Sequence, residues 1–310
     1  MRIGRFGAKH AFIVALILFG SLLTCSKSTE MKQSKILVAT SILPLTDFVK
    51  QVGGDHVEVF NLVPPGASPH TYELTPSQLR KVAKAQLLVL NGVGMEFWAD
   101  KLIQSMGDSK LKVVDTSVGI PIIDAEESAH SGDEAEESHS HASGNPHIWL
   151  DPINVIVQVS HIKAALQEID PGHSADYEQN AKAFIDQLNQ VHEEILTDVQ
   201  TWQHRRFVCF HPAWIYFAQR YGLDQAAVIQ KTPGREPSPQ ELIELIKIIR
   251  DIRANAVFAE PQSSPKIAEA IAKETSARVI FLDPLGSEKH LNSYIPLMRY
   301  NVQQMALALK

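Results

Sequence analysis

The sequence predicts an α/β protein of two lobes, each a four-stranded, mostly parallel sheet covered by helices, joined by one long rigid helix that spans both. Three observations carry this expectation. Short apolar runs rich in β-branched residues alternate with helix-length amphipathic segments over most of the chain, the pattern of parallel strands buried on both faces. The runs fall into two groups of four. Between the groups lie two consecutive helical stretches with no strand, the second of them long.

The first group comprises Ile36 to Thr40, Val57 to Val63, Gln86 to Leu90 and Leu111 to Val114, with helices expected at Thr75 to Ala83 and Met95 to Ser105. The strandless stretch follows. Its first helix runs from about Pro152 to Ile169 and stops at Asp170-Pro171-Gly172; the second runs from about Ser174 to Trp202. In the second, Tyr177, Ala181, Phe184, Leu188, Val191, Ile195 and Val199 recur at spacings of three and four, one apolar stripe along the helix. At 1.5 Å per residue such a helix extends roughly 39 Å, long enough to run behind both lobes and to restrict their hinging. The second group of runs is Phe207 to Phe210, Ala226 to Ile229, Ala256 to Ala259 and Arg278 to Leu282, with helices at Ala213 to Tyr221, Pro239 to Ile252 and Pro265 to Thr275. These elements divide the chain into an N-terminal lobe at 35–170, a connecting helix at 171–203 and a C-terminal lobe at 204–310.

Residues 1–25 have the layout of a secretory signal peptide. Arg2, Arg5 and Lys9 precede an apolar run from Ala11 to Leu23 that is shorter than the roughly 20 residues a membrane span needs. The stretch SLLTC ends at Cys25 as bacterial lipoprotein processing sites do, although Thr24 is an unusual neighbour; lipidation of Cys25 stands beside cleavage elsewhere or a retained N-terminal anchor. Residues 26–34 are polar and aperiodic and read as a tether. All these readings place the protein outside the cytoplasm, periplasmic or at the cell surface and held to a membrane. The chain has a net charge of −6, and removal of Arg2, Arg5 and Lys9 with the leader leaves 26 basic against 35 acidic residues, or −9. That balance argues against nucleic acid and against purely electrostatic membrane association. Cys209 is then the single remaining cysteine, so the exported fold stands without an internal disulfide.

From Asp124 to Asn145 the chain reads DAEESAHSGDEAEESHSHASGN, with seven acidic residues, His130, His139 and His141, and no lysine or arginine. It lacks the apolar residues to fold by itself and is expected to be a loop. Two readings stand: a solvated acidic insertion, or an auxiliary segment whose histidines capture divalent metal.

Four residues stand out by position. His70 ends the turn-rich VPPGASPH after the second strand; His211 directly follows RFVCF; Asp283 directly follows RVIFL; His147 lies in NPHIWLDP, just before a helix. In open parallel sheets ligands collect at the carboxyl ends of strands, where at least three of these fall. Singly, each has a packing or turn-capping explanation, and no local chelate such as HExxH or CxxC is present. A shared site must draw on distant loops of both halves.

The segments ATSILPLTDFVKQVGGDHVEV, VPPGASPHTYELTPSQ, NPHIWLDP, FHPAWIYFAQRYGL and FAEPQSSPKIAEAIAKETSARVIFLDPLG resemble, in order, those of ABC-importer solute-binding proteins specific for zinc or manganese. The resemblance covers nearly all of the chain beyond the tether. It implies one metal ligand from each of four loops, which in this sequence are His70, His147, His211 and Asp283. It implies as partners an importer permease and its ATPase, and a monomer. Three imidazoles and one carboxylate suit Zn2+, whereas manganese-type members commonly carry a carboxylate at the position of His211; Mn2+ remains the alternative cargo. Glu260 in FAEP and Arg235 in GREP lie at motif positions near the rim, as surface charges or as residues behind the ligands. Trp149 and Tyr72 read as packing residues. Two other functions compete: a zinc-dependent hydrolase, opposed by four protein ligands filling the position a water would need and by the absence of HExxH and GxSxG, and a metal-buffering adhesin.

Overall fold

A computed structural model describes residues 35–107, 110–124, 144–232 and 234–310. The expected signal peptide with Cys25, the tether, and His130, His139 and His141 lie outside the described residues. Eight strands form two sheets of one topology. In the first, β1 (Ile36–Thr40), β2 (Val57–Asn61), β3 (Leu87–Leu90) and β4 (Lys112–Asp115) lie in the order β2-β1-β3-β4. In the second, β5 (Arg206–Cys209), β6 (Asp224–Val228), β7 (Ala256–Ala259) and β8 (Arg278–Phe281) repeat it as β6-β5-β7-β8. Every pairing is parallel. The unbroken apolar character of β3 and β7, buried at all four positions, follows from helices on both faces.

Nine helices are described: α1 (Leu43–Gly53), α2 (Pro76–Val82), α3 (Ala99–Met106), α4 (Pro152–Ile169), α5 (Ser174–Gln200), α6 (Ile215–Tyr221), α7 (Pro239–Asp251), α8 (Lys266–Thr275) and α9 (Tyr294–Leu309). The helix expected from Met95 begins only at Ala99, because Glu96 folds back to accept the amides of Asn91 (2.9 Å) and Gly92 (3.1 Å) and closes a tight loop first. Two helices, α1 and α9, carry no sequence signal of the expected kind. α1 is buried at eight of its eleven residues and shows no polar face against which an apolar stripe would stand out, while α9 carries apolar Leu307 on its exposed face and Asn301 on its buried one, which blurs the stripe.

The stripe on α5 is buried at all seven positions. It joins one continuous apolar cluster that contains Val38 and Leu87 of the first sheet, Phe207 and Phe258 of the second, and Met298 of α9. The lobes therefore share a core behind the cleft. α9 adds a second strap across them. Its first backbone amide, at Tyr294, donates to Asp47 of α1 (2.8 Å), so a helix whose own cap residue Ser293 makes no side-chain capping bond is capped from the other lobe. The Tyr294 ring meets Phe48 edge-on at 5.2 Å, and Phe48 meets Phe184 of α5 at 5.9 Å. The parallel sheets leave their carboxyl ends, at Asn61, Leu90, Cys209, Ala259 and Phe281, to feed the loops that build the site.

Candidate metal centre

Three loops bring His70, His147 and His211 together, with one ring nitrogen of each within 4.8 Å of the others. His70 comes from the loop after β2, which Pro64, Pro65 and Pro69 stiffen. His211 follows β5 with one residue between. His147 sits at the entrance of a short 3₁₀ turn, Ile148–Leu150, whose Trp149 is fully buried and donates its Nε1–H to the carbonyl of Pro284 (2.7 Å). This bond pins the His147 loop to the C-terminal lobe. Trp149 is thus a packing residue, as is Tyr72, whose hydroxyl bonds Gln78 (3.2 Å).

The Nε2 atoms converge. His147 Nε2 lies 3.1 Å from His70 Nε2 and 3.0 Å from His211 Nε2. The opposite ring nitrogens decide what these contacts are. His211 Nδ1 donates to the Glu260 carboxylate, at 2.7 Å from one oxygen and 2.6 Å from the other, with Glu260 only 2% exposed. His147 Nδ1 faces the side-chain oxygen of Asn145 (2.8 Å), which also accepts the His147 backbone N–H (3.0 Å). With the proton of His147 on Nδ1, its Nε2 presents a lone pair towards the other two rings. Three ring nitrogens that converge in this way form a donor set that one cation can share. Burial, and then the neighbouring His211, hold the pKa of His70 down to about 3; the same causes, with His70, push that of His147 well below its ordinary value. Both rings are thereby held neutral at physiological pH, the form in which an imidazole can ligate a metal. Tetrahedral zinc at about 2.0–2.1 Å from each nitrogen would set them about 3.3 Å apart, a few tenths of an ångström from the observed spacing.

Asp283 is buried beside the site, but its carboxylate is engaged elsewhere. Oδ1 accepts from Gln262 Nε2 (2.9 Å) and the amides of Leu285 and Gly286 (both 3.0 Å), and Oδ2 accepts from the amide of Ser287 (2.7 Å). The turn requires Gly286: its φ is +78°, and a Cβ there would stand 2.4 Å from the Leu291 carbonyl oxygen. Asp283 thus organises the 283–287 loop, and its carboxylate is not grouped with the three imidazoles. Exposed Arg235 pairs with half-buried Glu241 (2.6 Å) at the start of α7 and does not line the cavity between the histidines. Cys209, the one free cysteine among the described residues, is buried and donates to the His211 carbonyl (3.2 Å). Burial, and the Glu260 charge after it, raise its pKa well above the ordinary range, so it stays a thiol. A second histidine pair, His56 and His173, stacks face to face at 3.9 Å with each ring bonded to its own aspartate; stacked rings cannot aim their in-plane lone pairs at one ion.

Sequence reasoning missed Asn145 and Asn91. Asn145 read as the polar end of the acidic segment, yet it is buried and Asn91 Nδ2 holds the next carbonyl, Pro146 O (2.8 Å). The signal was present in its placement two residues before a candidate ligand. The described feet of the segment meet: the Asn145 amide donates to Ile123 O (2.7 Å), and Tyr216 of α6 accepts the Ile123 amide (3.1 Å) and donates to Asn145 O (2.7 Å).

Residues 38–308 match the family model described as zinc-uptake complex component A, periplasmic. The chain is 31% identical over 283 residues to the high-affinity zinc uptake system protein ZnuA of Bacillus subtilis, covering 90% of this chain and 89% of that protein. It is 29% identical over 303 residues to the zinc-binding lipoprotein AdcA of Streptococcus pneumoniae (strain ATCC BAA-255 / R6), covering 96% of this chain but only 60% of the relative's length. Among solved structures, a zinc-bound deletion mutant of ZnuA is 34% identical with a TM-score of 0.77, covering 89% of this chain and 99% of that one.

Proposed function

The chain belongs to the family of periplasmic zinc-uptake component A, and from that premise we propose that it captures zinc in the interlobe cleft, on His70, His147 and His211, and delivers it to the permease of an ABC importer. The observation that carries this reading is the convergence of three imidazole Nε2 atoms, with His147 Nε2 standing 3.1 Å from that of His70 and 3.0 Å from that of His211. Three nitrogen donors favour zinc over the harder manganese ion. The cavity they line, about 40 Å³, has room for an ion with a water, which supports the capture of a single ion. Asp283 Oδ2 accepts one bond, from the Ser287 amide, and keeps a lone pair, so Asp283 is the fourth ligand if the 283–287 loop carries that oxygen onto the ion, and a water fills the position otherwise. The protein acts outside the cytoplasm, as a monomer held to a membrane through Cys25. Anomalous scattering at the zinc and manganese edges tests the assignment: a zinc peak is expected among the three Nε2 atoms, and a peak elsewhere, or at the manganese edge, overturns it.

Glu260 changes what a ligand swap at His211 would do. A glutamate at 211 would set a second carboxylate against one that is 2% exposed, and two buried like charges at hydrogen-bond distance cannot both ionise. His211→Glu alone is therefore expected to weaken zinc and manganese together. Adding Glu260→Gln should restore binding, with the zinc-to-manganese ratio moved on the order of tenfold towards manganese. Competition titration of both variants reads this; tight manganese binding by the single variant would mean that Glu260 is no obstacle.

The acidic, histidine-rich segment is proposed as an auxiliary collector that lies outside the tight site. Because its described feet meet at Ile123 and Asn145, residues 125–143 can be replaced by a short glycine-serine bridge. The deletion must spare Asn145. Tight zinc affinity should then stay within about twofold while weak additional equivalents disappear, since residues that must be ordered on binding hold metal weakly. Calorimetry distinguishes this from loss of the tight site, and an absence of weak equivalents in the intact protein would leave only a solvated acidic insertion.

A further inference from the structure

We propose that Asn145 is a positioning residue of the metal site, whose single amide group both aims His147 at the ion and fixes its distance from His211 on the opposite lobe. The inference rests on the reading that the ion sits among the three imidazoles. Asn145 is 2% exposed, and its amide spans the two ligand loops. Oδ1 accepts from the His147 backbone (3.0 Å) and from His147 Nδ1 (2.8 Å); Nδ2 donates to Pro212 O (2.6 Å), the residue after His211.

The amide cannot be turned over. A backbone N–H can only donate and a proline carbonyl can only accept, so these two partners assign Oδ1 and Nδ2 unambiguously. An acceptor oxygen facing His147 Nδ1 then obliges that nitrogen to carry the proton, and Nε2 is left with its lone pair on the ion side. The backbone of Asn145 is itself held by Ile123 and Tyr216, so the lever has a fixed fulcrum. His211 receives the same service from Glu260, but within the C-terminal lobe alone. Asn145 is what ties the two ligand loops to each other. Without it, His147 can rotate, or take the tautomer that presents an N–H to the ion and cannot ligate through that atom.

Two substitutions separate the roles. Asn145→Ala removes both; Asn145→Asp keeps an acceptor for His147 but offers no donor to Pro212. On the full chain, zinc affinity is measured by competition with a chromophoric chelator, and the tautomer by ¹⁵N spectra of the metal-free imidazoles. Asn145→Ala should weaken zinc about 10–100-fold, the usual effect of losing a group that orients a metal-bound histidine, and His147 should show averaged tautomer shifts. Asn145→Asp should return the Nδ1–H signature and regain most of the affinity, with zinc leaving faster than from the unaltered protein. An alanine variant within about twofold of the parent and with an intact Nδ1–H signature overturns the proposal. So does an aspartate variant that leaves the tautomer averaged. Should the alanine variant not fold, the aspartate variant decides: zinc dissociation unchanged from the parent overturns the cross-lobe role. His147→Ala is the control; if it binds zinc as the parent does, the three-imidazole reading has failed, whatever Asn145 does.

Discussion

Replacing His147 by alanine is expected to weaken zinc binding by at least about two orders of magnitude, more than the loss of any residue that merely orients a ligand. His147 is the middle member of the triangle: both short contacts, to His70 at 3.1 Å and to His211 at 3.0 Å, pass through its Nε2. Its removal leaves two nitrogens, which hold a four-coordinate ion poorly. A hundredfold corresponds to about 2.7 kcal/mol of binding free energy. The fold should survive, because the indole of Trp149 keeps its bond to Pro284 and the loop its bond from Asn91. Competition titration with a chelator gives the affinity and circular dichroism the fold. Near-parental affinity would remove His147 from the site and, with it, the reading of a shared ion.

Phe184→Ala is expected to produce the largest loss of stability, about 3–5 kcal/mol, as large-to-small substitutions of buried aromatic rings do. Phe184 is 1% exposed on α5 and packs on Phe48 of α1 at a ring distance of 5.9 Å, inside the cluster that reaches into both sheets. It offers no polar atom, so the loss is one of packing and cavity formation alone. Denaturant titration should show a single transition shifted to lower midpoint with little change in slope. Two separated transitions would mean that the lobes have independent cores, contrary to the continuous cluster.

Much of this was legible in the sequence, and the parts that were not share a cause. The strands were visible because parallel strands covered on both sides leave unbroken apolar runs, as in LLVL and AVFA. The α5 stripe was visible because its opposite face is polar. α1 was not, since a helix buried on several sides lacks that contrast, and α9 was not, since an apolar Leu307 outside and a polar Asn301 inside blur it. Similarly, His70, His147 and His211 could be picked out by their places in the loops that the sheets' carboxyl ends feed. The direction of a carboxylate could not: whether Asp283 faces an ion or the amides of its own turn depends on the backbone path through Gly286, which no spacing reports. Glu260 sits one residue past β7, a position that sequence can mark but whose partner only the folded chain supplies. Asn145 was hidden by composition, at the edge of a segment whose polarity made every member look solvated.

The cap that Asp47 provides for α9 has a consequence for how the molecule is made. The two residues that meet there, Asp47 and Tyr294, are 247 positions apart, and the entropy of closing so long a span is recovered only when the intervening chain is nearly native. A polypeptide extended as far as β8 holds every strand of the described residues, yet Phe48 still lacks the Tyr294 ring that meets it edge-on. The full covering of Phe48, and with it the cap of α9, therefore awaits the residues of the final helix.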